Sequence, residues 1–312
     1  MNFFNKFFVV AIAVGNVAAL VPMRTSPKHV LRSRCSTAPQ KSSVTMAAGP
    51  LSWCLAAPTM YALMSGNEYA THRYFQHAEF NKDRVCQAIA RVFFNRVSPL
   101  GSKIPRVKGG GHVEHHAETL DDMTLKTDER WMRSAASISL NSDPFRGTAF
   151  TWAVSGMMLV QMLPSTIPVF ALLGFSLKTT FAILLPSMAL HALVWNCIHP
   201  AMHGLPDIGI VNGMPARVMR SLRNSWYFNY LYQNHEGHHV LGGQKNFNVA
   251  CPLFDHLCGT YVKEEKWRPM AKLPAEKRPD PFSLLDPEIL AKFQTIGDAK
   301  KNEATSLRPV TA

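Results

Sequence analysis

Charged residues are scarce in this chain of 312 residues, and acidic residues are the scarcer kind. Charged residues make up 17% of the sequence and hydrophobic residues 47%, whereas charged residues average about 25% in soluble domains. The 33 Lys and Arg outnumber the 21 Asp and Glu, but they form no basic stripe with interleaved aromatics, which argues against nucleic-acid binding. This composition favours a membrane protein that lies against anionic lipid headgroups.

Cysteine is also sparse and irregularly spaced. The six cysteines form no C-x-x-C pair, which argues against a zinc ribbon and against a disulfide scaffold. The chain also lacks a dinucleotide fingerprint, a cytochrome b5 haem motif and an iron–sulfur cysteine pattern. A redox function would therefore need electrons from a separate protein.

Acidic residues are missing altogether from residues 1–50. The apolar run Phe7 to Leu20, with small residues before a cleavage point at Ala19, is typical of a signal peptide. Residues 22–50 are rich in Arg, Lys, Ser, Thr and Pro, which is the composition of a transit peptide. The combination resembles the two-part plastid presequence of algae with secondary plastids, so we predict a plastid membrane. A retained signal anchor and the endoplasmic reticulum membrane are the alternatives.

The remaining chain divides into a working domain, 51–263, and a polar, proline-rich tail, 264–312, which we predict to be flexible. The most hydrophobic part of the domain comprises residues 148–163 and 165–198 and is interrupted at Pro164, Pro168, Gly174 and Pro186. It is long enough for two membrane spans of about 20 residues joined by a tight turn. We see no sustained alternation of the β type beyond them.

Histidine, in contrast, is abundant and clustered. Ten of the 13 histidines form four clusters, which read H-x4-H, H-x-x-H-H, H-x-x-x-H and H-x-x-H-H in chain order. The members are His72, His77, His112, His115, His116, His199, His203, His235, His238 and His239. Two triples, each following a pair, strongly indicate metal binding.

The spacing of these clusters predicts where the imidazoles point. Residues i, i+3 and i+4 share one face of a helix, so each H-x-x-H-H directs three imidazoles toward one point. His72 and His77 are five residues apart, which separates them by about 140° on an ideal helix. They converge if the helix bends; otherwise each serves a different metal.

Metal binding explains why so many histidines are kept together. Each neutral imidazole needs a hydrogen-bond partner, and protonated imidazoles repel one another. A metal offsets both costs, because imidazole nitrogen is a ligand for iron, zinc and copper. Ten ligands exceed the capacity of one ion, whereas two ions with about five ligands each fit.

The clusters and their flanking residues resemble the fatty acid hydroxylase/sterol desaturase superfamily, which has the same order of histidine boxes. Residues 68–73 (EYATHR) are similar to the first box at the end of a membrane helix. Residues 246–248 (NFN) and 252–260 (PLFDHLCGT) are similar to the segment after the last box. The resemblance covers about 61–261. The chain departs from the family pattern at Asn248, Phe254 and Cys258.

This resemblance implies an all-α fold, namely an integral-membrane helical bundle under a helical cap with a His-rich dimetal site. It implies that the ten clustered histidines bind two Fe ions, with Zn as the other metal to expect after isolation. O2 is then the co-substrate, and the reaction is oxidation, most simply hydroxylation, of a lipid C–H bond. The expected substrate is a fatty acyl or sphingoid lipid or a sterol. The expected electron donor is ferredoxin or cytochrome b5.

Further side chains are candidates for fixing the tautomers of the ligands. The carboxylates in question are Glu68, Glu114, Asp121, Asp122, Glu236 and Asp255. Three histidines stand outside the clusters, and one of them, His29, belongs to the leader. His191 is predicted to be a span residue, and His256 a hydrogen-bond donor behind the ligands. For both His191 and His256 the alternative is that the side chain binds a metal.

Two other functions compete with lipid hydroxylation. If the leader directs the protein to a plastid, a carotenoid becomes a plausible substrate, since related carotenoid hydroxylases also use histidine boxes. A membrane metal transporter or metal-storage protein without oxidase activity is an alternative of another class. Transporters place ionisable groups inside their spans, whereas most of these histidines are predicted at span ends or in polar segments.

Overall fold

The computed structural model describes residues 48–97, 106–107, 109, 111–126, 147–205, 207, 211 and 213–272. Within these ranges the chain is helical, and β-type pairing is limited to an isolated bridge between Thr119 and Leu125. The predicted all-α class is therefore confirmed for this part of the chain. The predicted targeting leader lies outside the described residues up to position 47.

The helices follow one another along the chain with short connections. In order they are α1 (Pro50–Ala70), a π-helical turn (Thr71–Gln76), a 3-10 turn (Glu79–Asn81), α2 (Arg84–Val97), α3 (Gly111–Glu118), α4 (Trp152–Leu172), α5 (Leu177–Met202), α6 (Ala216–Arg223), α7 (Trp226–Val240), α8 (Leu253–Cys258), α9 (Glu264–Trp267) and a 3-10 turn (Arg268–Met270).

Helix α1 leads directly into the histidine-rich region. Pro50 starts it, where a proline is tolerated because the first N–H groups of a helix have no partner within it. The last eight residues, from Leu63 to Ala70, are all buried, and α1 packs against α4 and α8. The end of α1 is thus fixed on several sides, and so is the π-helical turn that continues it.

Helices α4 and α5 form an apolar hairpin. The Thr151 and Ser176 hydroxyls cap their N-termini by accepting from the backbone N–H groups of Val154 and Thr179. Both helices are long and apolar enough to cross a membrane, with mean hydropathy of 1.4 for α4 and 1.7 for α5. Among the described helices only these two meet that criterion. Length and composition agree with the two predicted spans.

Of the four predicted interruptions, the one at Gly174 is confirmed. The chain reverses there, after Leu172, and Gly174 adopts a φ of 83°. The predicted interruptions at the three prolines are wrong, because α4 continues through Pro164 and Pro168 and α5 through Pro186. A proline inside a helix costs about 3 kcal/mol because it removes a hydrogen bond and crowds the preceding turn. Packing of the buried α4 residues in a core shared with α1 and α5 offsets that cost.

The prediction of a flexible tail from residue 264 onward is wrong for its first residues. Residues 264–270 form helical turns that pack on α7, and Trp267 is 1% exposed. Gly237 makes this packing possible, since a Cβ there would lie 2.5 Å from Trp267 Nε1. Arg268 also forms an ion pair with Glu236 of α7, at 2.6 Å. The remainder of the predicted tail, 273–312, lies outside the described residues.

Candidate metal centre

The structure brings the ten clustered histidines into two adjoining groups. The first histidine group consists of His72, His77, His112, His116 and His238. The second histidine group consists of His115, His199, His203 and His235, whose ligand atoms also meet, together with His239 beside them. Each set of meeting ligand atoms lies within 4.8 Å. The spatial arrangement therefore fits two ions with about five imidazoles each.

The spacing predicts that each H-x-x-H-H triple converges on one point, but the structure divides each triple between the two groups. In α3, His112 and His116 join the first group, whereas His115 joins the second. In α7, His238 joins the first group, and His235 lies in the second. The i and i+4 residues of each helix lie one above the other, and the i+3 residue turns toward the neighbouring group. Each triple therefore links the two groups.

The H-x4-H pair converges because the backbone is π-helical. The N–H of His77 donates to the carbonyl of His72 at 2.9 Å, which is the i→i+5 hydrogen bond of a π-helix. This wider turn brings the two Nε2 atoms to 3.3 Å, so both histidines serve the same group. Of the two alternatives that the spacing leaves open, convergence on one group is therefore the one observed, and a π-helical turn provides it. Such turns occur frequently at functional sites.

Close Nε2 contacts define both groups. In the first histidine group, six pairs of Nε2 atoms are separated by 2.7 to 3.3 Å. In the second, the His235 Nε2 lies 2.8 Å from that of His199, 3.1 Å from that of His203 and 3.2 Å from that of His239. The groups adjoin through the stacked rings of His116 and His239, whose centroids are 4.2 Å apart.

Backbone carbonyls fix the tautomers of four of these histidines. The Nδ1 atoms of His199, His203 and His238 lie 2.6 to 2.8 Å from the carbonyl oxygens of Thr148, Met123 and Lys245, respectively. His72 Nδ1 pairs in the same way with the Phe247 carbonyl. A carbonyl oxygen only accepts, so Nδ1 carries the proton and Nε2 presents a lone pair.

These lone pairs provide a test of whether a metal fits. The Nε2 lone pairs of His199 and His203 both point at Nε2 of His235. A neutral imidazole has one N–H, so His235 can donate to at most one of them. Both ring nitrogens of His115 and Nδ1 of His235 are buried without a hydrogen-bond partner. Nitrogens held about 2.0–2.1 Å from one ion lie about 2.9–3.4 Å apart, which is close to the distances observed. The residues therefore fit metal ions at both groups.

Burial keeps these imidazoles neutral. It lowers the pKa of His77 to about 4. Burial, followed by the neighbouring imidazoles, holds the pKa values of His115 and His235 well below the ordinary value. A neutral imidazole is the form that binds metal, so both groups are prepared to bind a cation at neutral pH.

Three of the six candidate carboxylates have partners other than the clustered histidines. Glu236 pairs with Arg268, Asp121 with exposed Lys272, and Asp122 accepts from the Thr124 backbone N–H. Glu114 leaves one buried oxygen without a hydrogen-bond partner. The prediction that carboxylates fix the tautomers is therefore corrected for the four histidines above, because backbone carbonyls, which leave no mark in the sequence, take that position.

Asp255 acts on the site through the backbone. Its two carboxylate oxygens accept from the N–H groups of Phe247 (2.9 Å) and Asn248 (2.7 Å), and Thr260 donates to it as well. The same stretch of backbone carries the Phe247 carbonyl that accepts from His72. Asp255 is therefore a positioning residue for the first histidine group.

His191 and His256, which lie outside the four clusters, differ in their surroundings. His256 is exposed, and its Nε2 lies 2.7 Å from the Tyr230 hydroxyl, remote from both groups. His191 is buried in α5 beside Glu68 and Cys251, and these three could hold a metal of their own. Nothing in their spacing could have revealed this cluster, because its members lie more than 50 residues apart.

Two cavities adjoin the first histidine group. A mostly apolar one of about 130 Å³ lies between α1, α4 and α5, with His72 in its wall beside Phe150, Met158 and Trp195. A larger and more polar cavity of about 530 Å³, here called the polar opening, is lined by His77. The group is therefore reachable from an apolar side and from a polar side.

Comparisons with protein family models, with characterised proteins and with solved structures found no match to this chain. The function of this chain is therefore inferred from its own residues and their geometry.

Proposed function

We propose that this protein is a membrane-bound, O2-dependent oxidase of lipid C–H bonds that uses two iron ions held by the two histidine groups. The observation that carries the proposal is the convergence of all ten clustered histidines into two adjoining groups of lone-pair donors. Bound iron would supply the redox chemistry that cleavage of an unactivated C–H bond requires and that acid–base side chains cannot supply. Hydroxylation is the simplest form of this reaction.

The balance of that reaction defines what the protein needs from outside. One C–H bond becomes C–OH, and the second oxygen atom of O2 leaves as water. Two electrons and two protons are consumed for each turnover. A ferredoxin or a cytochrome b5 would deliver the electrons, and the polar opening at His77 is the side from which solvent protons reach the first group.

The apolar hairpin supports a membrane location. In the most apolar stretch of α4 and of α5, only 33% of the residues are buried inside the protein. The core helix of a soluble protein would be mostly buried, whereas here Trp152 and Leu172 are 95% and 87% exposed. Such exposed apolar area is costly in water and favourable in lipid. This exposure supports our proposal that α4 and α5 lie in a bilayer, of a plastid or of the endoplasmic reticulum.

The apolar cavity supports a lipid substrate. Phe150, Met158 and Trp195 offer hydrocarbon and aromatic surface next to His72, while Gln161 and Thr71 add polar groups to the same wall. A methylene chain in this cavity would exclude water from the reacting carbon, and the rigid walls would orient it. An acyl or sphingoid chain or a sterol fits this lining. A carotenoid is the alternative to test beside them.

The test is a reconstituted reaction. The full-length chain is purified in detergent, loaded anaerobically with Fe2+ and supplied with ferredoxin, its reductase and 18O2. Ceramide, phosphatidylcholine, a sterol and a carotenoid are offered separately. We expect one of them to gain a single 18O atom, or to lose two hydrogen atoms if desaturation occurs, by mass spectrometry.

Two controls make the result decisive. His115→Ala should abolish product formation, whereas His256→Ala, which removes an exposed imidazole remote from both groups, should retain it. Iron-loaded protein that oxidises none of the four lipids while releasing and rebinding its metal rapidly would contradict the proposal. That result would favour metal transport instead.

A further inference from the structure

A third cluster of metal-ligating side chains lies outside both histidine groups. Glu68 of α1, His191 of α5 and Cys251, which follows the last histidine box, are all buried, with at most 8% of any of them exposed. One potential ligand atom from each lies within 4.8 Å of the other two. Three helix and loop segments far apart in the sequence thus deliver a thiol, an imidazole and a carboxylate to one place.

Hydrogen bonds within the protein leave this cluster incompletely satisfied. His191 Nε2 is buried without a hydrogen-bond partner and lies 3.9 Å from the nearer oxygen of Glu68, which is beyond hydrogen-bond distance. His191 Nδ1 lies 3.5 Å from Cys251 Sγ, which is a weak hydrogen-bonding atom. A buried ring nitrogen without a hydrogen-bond partner destabilises the folded protein. The cluster therefore gains from a cation.

Glu68 holds the cysteine in position for such a site. Its carboxylate accepts from the backbone N–H groups of Val249, Ala250 (2.8 Å) and Cys251 (3.1 Å). A carboxylate has roughly four acceptor positions, so about one remains for a metal. The same bonds fix the backbone of Cys251 and thereby direct its sulfur to the His191 ring.

We propose that Glu68, His191 and Cys251 form a zinc site distinct from the two histidine groups. Binding would release the thiol proton of Cys251, so thiolate, carboxylate and Zn2+ together carry no net charge, which suits a buried place. Monovalent copper would leave a net negative charge there. Tetrahedral zinc ligands lie about 3.3–3.7 Å apart. One imidazole nitrogen binds a given ion, and with one atom from each residue the three ligand atoms lie within 4.8 Å of one another, so binding needs movements of roughly 1 Å.

Three protein ligands leave a fourth position open, as in catalytic rather than structural zinc sites. His191 and Cys251 both line an apolar cavity of about 400 Å³ that also includes the hydroxyl-bearing side chains of Tyr61 and Tyr227. Water or the oxygen of an amphiphilic ligand in this cavity would complete the coordination. This site goes beyond the proposed oxidation and does not depend on it.

Cobalt substitution tests the site directly. The purified full-length chain is stripped of metal and titrated with Co2+, which gives a near-ultraviolet charge-transfer band only when a thiolate is bound. We expect this band in the wild-type protein and its loss in Cys251→Ser. The matched control is Cys197→Ser, which alters another buried cysteine whose neighbour is Met219, and which should keep the band.

Elemental analysis separates this proposal from the proposed oxidase. Cys251→Ser should lower zinc by about one ion per chain and leave the metal of the histidine groups unchanged, whereas His235→Ala should do the reverse. If Cys251→Ser does not fold, Zn2+ should protect Cys251 of the wild-type chain from alkylation at least tenfold. A cobalt band that persists in Cys251→Ser, or alkylation of Cys251 that Zn2+ does not slow, would overturn the zinc site.

Discussion

The two histidine groups differ in how they meet their surroundings. His77 and His116 of the first group are half-buried and line the polar opening, and His72 lines the apolar cavity. In the second group, His115, His199, His203 and His235 are all fully buried. The first group thus contacts both cavities, whereas most of the second is sealed inside the protein.

This difference assigns unequal parts to the groups. A lipid chain and solvent can approach the first group through two different cavities, so we expect the substrate to react there. The second group joins the C-terminal end of α5 to α3 and α7, because His199 and His203 lie at that end. We therefore expect its loss to cost stability as well as activity, and loss of a first-group ligand to cost mainly activity.

The largest effect is expected from His235→Ala. The His235 Nε2 lies close to those of His199, His203 and His239, and its removal leaves buried lone pairs without a cation between them. Iron should fall from about two ions per chain to one or fewer, activity should fall more than about 100-fold, and thermal stability should drop. Elemental analysis and a melting curve measure this.

His77→Ala is the matched variant in the first group. It should abolish activity to a similar degree and yet keep the iron of the second group and most of the thermal stability, because His77 is half-buried. Equal losses of metal and stability in the two variants would show that the groups form one indivisible unit, and the comparison above would fail.

The sequence predicts the helical class, the apolar hairpin and metal binding by the ten clustered histidines, because each of these features leaves a periodic or compositional pattern. It did not predict the division of each triple between two groups, since i+3 and i+4 residues are close enough on a helix to serve one ion or two. The π-helical turn at His72 and the carbonyls on Nδ1 atoms were also missed. Both depend on tertiary packing of the backbone, which side-chain identity does not encode locally.

The Asp255→Asn variant should have the next largest effect. The N–H groups of Phe247 and Asn248 donate to different oxygens of the carboxylate. The amide replaces one of these oxygens by NH2, which cannot accept a hydrogen bond. The Phe247 carbonyl would shift and the His72 tautomer would be less firmly fixed. Supporting residues of this kind cost about 10–100-fold in metal affinity, which competition with a chelator measures.

The control for this variant is Asp83→Asn, in which the carboxylate accepts from the backbone N–H groups of Val85 and Cys86 at the start of α2. It should leave the metal affinity unchanged. A purely structural role for Asp255 would lower the melting temperature without changing the affinity of the folded protein for iron, and that outcome would remove Asp255 from the site.

A smaller effect is expected from Gly243→Ala. Gly243 and Gly242 both have positive φ values, of 74° and 63°, so alanine is strained to a similar degree at either position. A Cβ at Gly243 would collide with the His77 ring, whereas one at Gly242 meets nothing within 4 Å. We expect about tenfold lower activity for Gly243→Ala than for Gly242→Ala, at equal thermal stability.

The smallest effect is expected at the rim of the polar opening, from Asp121→Asn. Asp121 and Lys272 form an ion pair of 3.2 Å there, with their side chains 51% and 77% exposed. Exposed pairs of this kind contribute about 0–1 kcal/mol because water and salt screen them. Stability should therefore change by no more than that, and turnover with a chemical reductant should stay the same. If turnover with the protein donor alone changed, and changed less at high salt, the rim would be part of the donor's docking surface, and the polar side of the first group would be the side of electron entry.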